Sequence, residues 1–159
     1  MSHKKNLALI GIGYWGKVHL KYLEKIKFIN ITKIFYQKNK PKLINQKFLD
    51  SLTNNLKKIK EDSDIKYIDI VTPIKTHAKL VIQLGIDKKN ILIEKPLIMT
   101  KKEELLISKL IKSDHRILVS YPYLYSKTLN LAKEQIDKKI FGDLLYIDIS
   151  IQQCGRFLE

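Results

Sequence analysis

Cysteine, proline and glycine are scarce in this sequence, and long apolar runs are missing. Its 159 residues include one cysteine, four prolines and six glycines. The lone Cys154 cannot form an internal disulfide, and no run approaches the roughly 20 apolar residues that span a bilayer. Residues 1–16 lack the apolar core of a signal peptide, because Gly13 follows directly after Leu7–Ile12. We therefore expect a soluble, globular protein in the reducing cytoplasm.

Acidic residues are also few, since 16 Asp and Glu oppose 30 Lys and Arg and leave a formal net charge of +14. Such an excess is typical of proteins that bind nucleic acid or anionic membranes. Nearly all of the positive charge is lysine, however, and it is spread along the chain without an Arg-rich helix. We interpret the lysine excess as a coding bias and expect no nucleic-acid partner and no membrane partner. We also expect no metal site.

Short apolar runs without polar alternation recur along the first 120 residues. They lie at Leu7–Ile12, Ile29–Tyr36, Tyr67–Val71, Asn90–Ile93 and Ile117–Val119. Strands of this kind are buried on both faces, as in a parallel sheet covered by helices. Helical patterns between them complete an alternation of strand and helix. The fold class is therefore α/β, with a doubly wound parallel sheet.

Two helices between these strands are predicted with some detail. The first covers residues 15–27, and its apolar stripe of Trp15, Val18, Tyr22 and Ile26 is expected to pack on the sheet. Another begins at Thr100-Lys-Lys-Glu103, which has the spacing of a capping box. The segment 37–64 is less regular, and there we predict a short extended piece near Lys47–Leu49 and a helix over about Thr53–Glu61.

The pattern changes from about residue 121. Leu129, Ala132, Ile136 and Ile140 mark a helix that Gly142 can end. Leu145–Ile151 then alternates apolar and polar residues, as a half-buried strand does. Such a strand needs neighbouring strands or a covering layer. We therefore expect one domain over residues 1–120 and the first helix and strand of an incomplete second α/β domain over 121–159, whose exposed strand is a candidate for homo-oligomer contact.

Gly11-Ile-Gly13-Tyr-Trp-Gly16 matches the GxGxxG motif between the first strand and the first helix. In that setting the first glycine permits a tight turn, the second lets a pyrophosphate approach the backbone, and the third allows close packing of helix and strand. Phosphates then lie on free amides at the positive end of the helix dipole. The motif predicts a Rossmann-type dinucleotide site that includes Tyr14 and Trp15. The competing interpretation is a glycine turn that binds nothing.

In Rossmann folds that bind NAD, an acidic residue about 20 positions after the glycine motif binds the adenosine ribose. This sequence has no acidic residue at that place. No Asp or Glu occurs between Glu24 and Asp50, and Tyr36 stands at the expected place, followed by Lys38 and Lys40. Because these cations suit a 2′-phosphate, the cofactor prediction is NAD or NADP with a slight preference for NADP. The alternative is that both lysines are solvated loop residues.

Two further groups of candidate residues follow predicted strands, at the sheet edge where ligands bind in open α/β folds. One is Thr72-Pro73 with His77 four residues later, and the other is Glu94-Lys95-Pro96. His77 is a cofactor-cleft candidate, although a packing or capping role is the common alternative. Lys95 is the catalytic candidate, because a lysine beside a nicotinamide can polarise a hydroxyl or carbonyl and transfer a proton, with its pKa tuned by burial. An ordinary surface ion pair is the alternative.

Together these motifs resemble the Gfo/Idh/MocA family, named for glucose–fructose oxidoreductase and inositol dehydrogenase. The resemblance rests on the glycine motif, on Asp69-Ile-Val-Thr-Pro73 with His77, on Glu94-Lys-Pro96 and on Gly142-Asp-Leu-Leu-Tyr-Ile147, and it covers essentially the whole chain. It implies an NAD(P)-dependent oxidoreductase that moves a hydride to or from a hydroxyl-bearing carbon of a sugar, nucleotide sugar or cyclitol. It also implies that Lys95 is catalytic.

The resemblance has two departures. Tyr36 replaces the acidic ribose ligand common in the family. Family members exceed 300 residues, and their second domain supplies a His and an Asp for acid–base chemistry together with most of the substrate pocket. We therefore expect a truncated member that by itself lacks the full catalytic set. The alternative is a nucleotide-binding module without catalysis, either a relic or a partner subunit.

Overall fold

A computed structural model of the chain describes residues 4–38, 41, 45–84, 89–111 and 116–150. The strands within these ranges are β1 (Lys5–Ile10), β2 (Ile29–Phe35), β3 (Leu52–Thr53), β4 (Tyr67–Ile70), β5 (Asn90–Glu94) and β6 (Ile117–Ser120). The α-helices are α1 (Tyr14–Leu23), α2 (Lys57–Lys60), α3 (His77–Leu84), α4 (Lys101–Leu110) and α5 (Lys127–Asp137). Short 3₁₀ helices cover Gln46–Ser51, Ile74–Thr76 and Pro122–Tyr125. The chain divides into two compact units between Ser120 and Tyr121.

The six strands of the first unit form one parallel sheet in the order β3-β2-β1-β4-β5-β6. This order confirms the predicted doubly wound α/β fold of the Rossmann type. The direction in which the strands are added reverses between β1 and β4. Connections leaving these two strands therefore diverge, and a crevice opens at their carboxyl ends.

The core lies on both faces of the sheet, as the unbroken apolar runs predicted. Leu7 and Leu9 of β1 pack in a cluster with Leu20 of α1, whereas Ala8 and Ile10 pack in the opposite cluster with Val81 of α3. Each fully buried leucine or isoleucine stabilises the fold by roughly 1.5–3 kcal/mol. Helices on both faces thus fix the position of the central strands that carry the crevice.

Helix α1 presents a different face to the sheet from the one predicted. Gly16 and Leu20 are its buried residues, while Trp15 is 52% exposed and Tyr22 is 61% exposed. The predicted stripe through Trp15 and Tyr22 is wrong, because the absence of a side chain at Gly16 lets that face approach the backbone after β1. The prediction used the spacing of apolar residues, which does not identify a glycine as a residue that contacts the sheet.

The segment between β2 and β4 also differs from expectation. The extended piece predicted near Lys47–Leu49 is a 3₁₀ helix, which Asn45 begins by accepting a hydrogen bond from the Lys47 amide at 3.2 Å. The edge strand follows as β3, and the predicted Thr53–Glu61 helix is reduced to α2. Local side-chain caps shorten it, since the Asn55 carboxamide oxygen accepts from the Lys57 amide at 3.0 Å.

The capping box at the start of α4 is confirmed. The Glu103 amide donates to the Thr100 hydroxyl at 3.2 Å, and the Thr100 amide donates to the Glu103 carboxylate at 3.1 Å. Each bond satisfies an amide that has no partner within the helix. The Met99 amide donates to the same carboxylate at 2.8 Å, and this bond, together with the one from the Thr100 amide, holds the pKa of the Glu103 carboxyl below its usual value.

The second unit contains the predicted helix but not the predicted strand. Helix α5 begins at the cap Ser126 and ends at Asp137, and Lys139 then adopts a left-handed backbone with φ of 53°. Residues 144–150 form no strand, and Leu145 is 91% exposed. The strand predicted over Leu145–Ile151 is therefore wrong in its described part, because no described segment hydrogen-bonds alongside it.

None of the helices in the parts of the chain that the structure describes combines the length and the apolar character that a bilayer crossing requires.

Candidate active site

A cleft of about 1000 Å³ opens at the carboxyl ends of the central strands. Ten of the predicted site residues line it: Gly11, Gly13, Tyr14, Trp15, Tyr36, Thr72, Pro73, His77, Glu94 and Lys95. Gly16, Lys38 and Pro96 are not part of its lining. The volume lies at the upper end of the range of small-molecule pockets, as an extended ligand requires.

The glycine motif forms the floor of the cleft. Gly11 has φ of +101°, and a Cβ there would lie 2.5 Å from the carbonyl oxygen of Val71. A Cβ on Gly16 would lie 2.2 Å from the carbonyl oxygen of Gly11, whereas one on Gly13 would meet nothing within 4 Å. Gly11 and Gly16 are therefore required by the protein itself. Gly13 instead leaves space above the backbone for a ligand.

The first turn of α1 provides an anion-binding surface beside Gly13. Gly13 is the N-cap residue, and Tyr14 to Lys17 include no acidic residue. The first amides of a helix have no acceptor within it, and the helix dipole adds partial positive charge at this end. Since no side chain caps these amides, the turn is suited to an anion such as a pyrophosphate.

Tyr14 and Trp15 extend this surface with aromatic rings. They meet edge to face, with their ring centroids 5.5 Å apart. Both rings are more than half exposed. Large aromatic side chains that are exposed in a cleft provide contact area for a bound molecule.

The loop after β4 is held by a small hydrogen-bond network. The Thr76 hydroxyl donates to the Pro73 carbonyl oxygen at 2.7 Å, and its oxygen lies within hydrogen-bond distance of the Thr72 hydroxyl oxygen, also at 2.7 Å. His77 is 2% exposed, and its Nδ1 and Nε2 lie 2.8 Å from the carbonyl oxygens of Pro96 and Thr72 respectively. Its ring therefore ties the loop after β4 to the loop after β5, and this is a positioning role.

Glu94 and Lys95 stand at the carboxyl end of β5. The Lys95–Pro96 peptide bond is cis. The Glu94 side chain is 23% exposed, and Lys95 is exposed on the cleft. The expected burial of Lys95 is therefore not found, although its position on the cleft wall agrees with the prediction.

A partly buried cluster of His19, Asp69 and Glu94 was not predicted. His19 of α1 has Nδ1 2.8 Å from Oδ2 of Asp69 and Nε2 3.3 Å from Oε1 of Glu94. The hydrogen bond to Asp69 is the largest cause of a raised His19 pKa, although desolvation opposes it. Burial raises the pKa of Asp69, and His19 counters this rise. The sequence contained one signal for this cluster. His19 lies three residues after Gly16, and this spacing places it near the side of α1 that faces the sheet.

The part of the cleft beside the carboxyl end of β2 contains Tyr36 and Gln37 but not Lys38. Lys40 lies outside the described residues. Lysines from other elements line the cleft instead, namely Lys57 and Lys60 of α2 and Lys79 of α3. Sequence reasoning missed the α2 pair because it placed that helix only approximately.

Comparison with known proteins agrees with this geometry. The Gfo/Idh/MocA family model, described as an oxidoreductase family with an NAD-binding Rossmann fold, matches residues 5–121. Levoglucosan dehydrogenase of Pseudarthrobacter phenanthrenivorans is 30% identical over an alignment of 152 residues, and the match covers 88% of this chain and 39% of that protein. The scyllo-inositol 2-dehydrogenase (NAD(+)) of Bacillus subtilis is 24% identical over 92% of this chain and 44% of its own length.

A solved structure has the same fold. It is an oxidoreductase of Desulfitobacterium hafniense, named as NADPH-dependent, with a TM-score of 0.79 and 21% identity over 90% of this chain and 42% of that one. The chain thus spans about two fifths of the length of these proteins.

Proposed function

This chain belongs to the Gfo/Idh/MocA oxidoreductase family, whose fold is the NAD-binding Rossmann fold, and from that premise we propose that its cleft binds NAD or NADP. The observation that carries the proposal is the opening above Gly13, where an added Cβ would meet no atom within 4 Å. Beside it lie the uncapped amides of α1. If Gly13 served packing alone, protein atoms would occupy the position of an added Cβ, as they do at Gly11 and Gly16.

The residues present fit a dinucleotide along the length of the cleft. Gly11, Gly13 and the first turn of α1 would hold the pyrophosphate, and Tyr36 would lie at the adenosine ribose. Thr72 and Pro73 would line the middle, with His77 fixing their loop from behind. Glu94 and Lys95 would face the nicotinamide end, where a bound nicotinamide supplies or accepts a hydride.

Lys95 is the group in this unit that we assign to catalysis. Its ammonium is exposed on the cleft wall, so it can donate a hydrogen bond to the oxygen of a substrate hydroxyl or carbonyl. Polarising that oxygen, and exchanging a proton with it, is the role that its position supports. We infer that the substrate is a sugar, nucleotide sugar or cyclitol, since the related dehydrogenases are named for levoglucosan and inositol.

We further propose that residues 1–120 are the dinucleotide-binding domain and that residues 121–159 begin a substrate and oligomerisation domain. The division of the chain between Ser120 and Tyr121 supports this boundary. A second candidate function is a nucleotide-binding module without catalysis, because the relatives are more than twice as long as the matched part. Turnover of a substrate by the chain would exclude this second candidate.

Trp15 provides a direct assay, because it is the only tryptophan in the chain and lines the cleft. Bound NADH or NADPH should accept excitation energy from Trp15 and emit nicotinamide fluorescence in a saturable manner. Trp15→Phe is the matched control, since it keeps an aromatic ring but removes the donor. Absence of a saturable signal with either nucleotide would contradict the proposal, and oxidation of an inositol by the chain alone would exclude the non-catalytic module.

A further inference from the structure

His19 lies between two carboxylates from neighbouring strands. Asp69 of β4 contacts Nδ1 at 2.8 Å, and Glu94 of β5 contacts Nε2 at 3.3 Å. Carboxylate oxygens accept hydrogen bonds, so an imidazolium can donate to both acids at once. Asp69 and Glu94 are also the charged groups that act on the His19 ring, and both favour its protonated form.

Packing alone does not explain this cluster. The Asp69 side chain is 1% exposed, and its Oδ1 has no hydrogen-bond partner among the described residues. Burying a carboxylate with an unpaired oxygen costs free energy, and an apolar residue of similar size would avoid that cost. No group of three or more His, Cys, Asp and Glu in the described part of the chain is arranged to hold a metal ion.

The cluster restricts the orientation of the Glu94 side chain. This residue ends β5 on the cleft wall and directly precedes Lys95. A glutamate at such an edge has several side-chain torsions and can point in many directions, whereas a hydrogen bond from a fixed ring selects one. Asp69 fixes the ring, because it holds Nδ1 and thereby directs Nε2 towards Glu94.

We propose that His19, supported by Asp69, is a positioning residue that fixes the Glu94 carboxylate on the wall of the nicotinamide end of the cleft. The proposal rests on the proposed function, since it assigns the nicotinamide to this end. His19 does not touch the cofactor. It acts through Glu94, and Glu94 in turn defines the wall beside Lys95.

A first test needs no nucleotide. The titration of the His19 ring is followed by NMR, with the signal assigned by its loss in His19→Asn. Glu94→Gln should lower the His19 pKa because it removes one of the two carboxylates, and Glu104→Gln, an exposed acid on α4, should leave it unchanged. An identical His19 pKa in Glu94→Gln and the wild type would overturn the proposed bridge.

The second test is a double-mutant cycle with NADH, read by energy transfer from Trp15. His19→Asn and Glu94→Gln should each weaken NADH binding by about fivefold or more, a size typical of coupled residues in contact. The NADH affinity of the double variant should lie within about twofold of that of Glu94→Gln, because His19 acts only through Glu94. Independent effects that multiply in the double variant would overturn the role of His19.

His19→Gln separates positioning from folding. Its side chain reaches the place of Nε2 and can contact Glu94, whereas the shorter side chain of His19→Asn reaches only the place of Nδ1 and contacts Asp69. We expect the glutamine variant to bind NADH more tightly and the asparagine variant to have the higher Tm. If Asn preserves both properties better, the role is structural and the proposal fails.

These outcomes are distinguishable from failure of the proposed function. Absence of energy transfer to NADH in the folded wild-type chain would overturn nucleotide binding itself, and with it the role of Glu94. Saturable transfer with independent effects of the two substitutions overturns the role of His19 alone.

Discussion

Two alanine substitutions in the glycine motif should have opposite effects, because the structure gives the two glycines different neighbours. Gly13 has φ of −71° and ψ of −161°, which alanine adopts freely, and its added Cβ would meet no atom within 4 Å. Gly13→Ala should therefore leave the free energy of unfolding unchanged or raise it by about 0.4–1 kcal/mol, through the unfolded chain. The same methyl group would occupy the space assigned to the pyrophosphate. NADH affinity should fall by at least about tenfold, or about 1.4 kcal/mol.

Gly16→Ala provides the matched comparison. Its Cβ would lie 2.2 Å from the Gly11 carbonyl oxygen, which belongs to the backbone and cannot rotate away. Overpacking of this kind costs about 1–3 kcal/mol, partly offset by about 1 kcal/mol from the better helix propensity of alanine. Because an approach of 2.2 Å to a backbone atom places the cost in the upper part of this range, the net loss should be about 1–2 kcal/mol, and Tm should fall by roughly 2–8 °C. Thermal melting by circular dichroism and NADH titration measure both quantities. A Gly16→Ala variant as stable as the wild type would contradict the packing role of Gly16, and a Gly13→Ala variant that binds NADH normally would contradict the ligand role of Gly13.

Three more predictions follow from single features. Lys38→Ala plus Lys40→Ala should weaken NADPH binding more than NADH binding, and an equal effect in parallel titrations would make them solvated charge. Thr100→Ala should cost about 1 kcal/mol by removing the cap of α4, read as a lower urea midpoint at an unchanged m value. The raised His19 pKa stabilises the fold fully below about pH 6.5, and this contribution is lost as pH rises through the raised value. His19→Asn should therefore flatten the fall in Tm between about pH 6 and pH 8, and an unchanged slope would count against the ion pair with Asp69.

The part of the fold that periodicity determines was predictable. Strands buried on both faces give unbroken apolar runs, so all the predicted strands of the sheet occur close to their expected positions. The face of α1 was not predictable from apolar spacing, because Gly16 makes its contact by lacking a side chain. The strand predicted over Leu145–Ile151 is absent from its described part for a related reason. Alternation of apolar and polar residues indicates a strand only where a partner segment pairs with it.

The candidate site was predictable where a motif lies in one continuous segment. The glycine turn, Thr72-Pro73 and Glu94-Lys95 were found because each follows a strand. The His19, Asp69 and Glu94 cluster joins three elements, and nothing in the local sequence brings them together. The α2 lysines were missed similarly, because their place on the cleft depends on how β3 and α2 pack.

The central claim is that a dinucleotide lies across Gly13 and the first turn of α1. The most direct measurement is a titration of the ¹⁵N-labelled chain with NADH, followed through the backbone amide signals. We expect saturable shifts centred on Gly13, Tyr14 and Trp15, together with Thr72 and Glu94, and weaker shifts in α4. Saturable shifts confined to other surfaces, or none at concentrations that saturate the Trp15 signal, would contradict it.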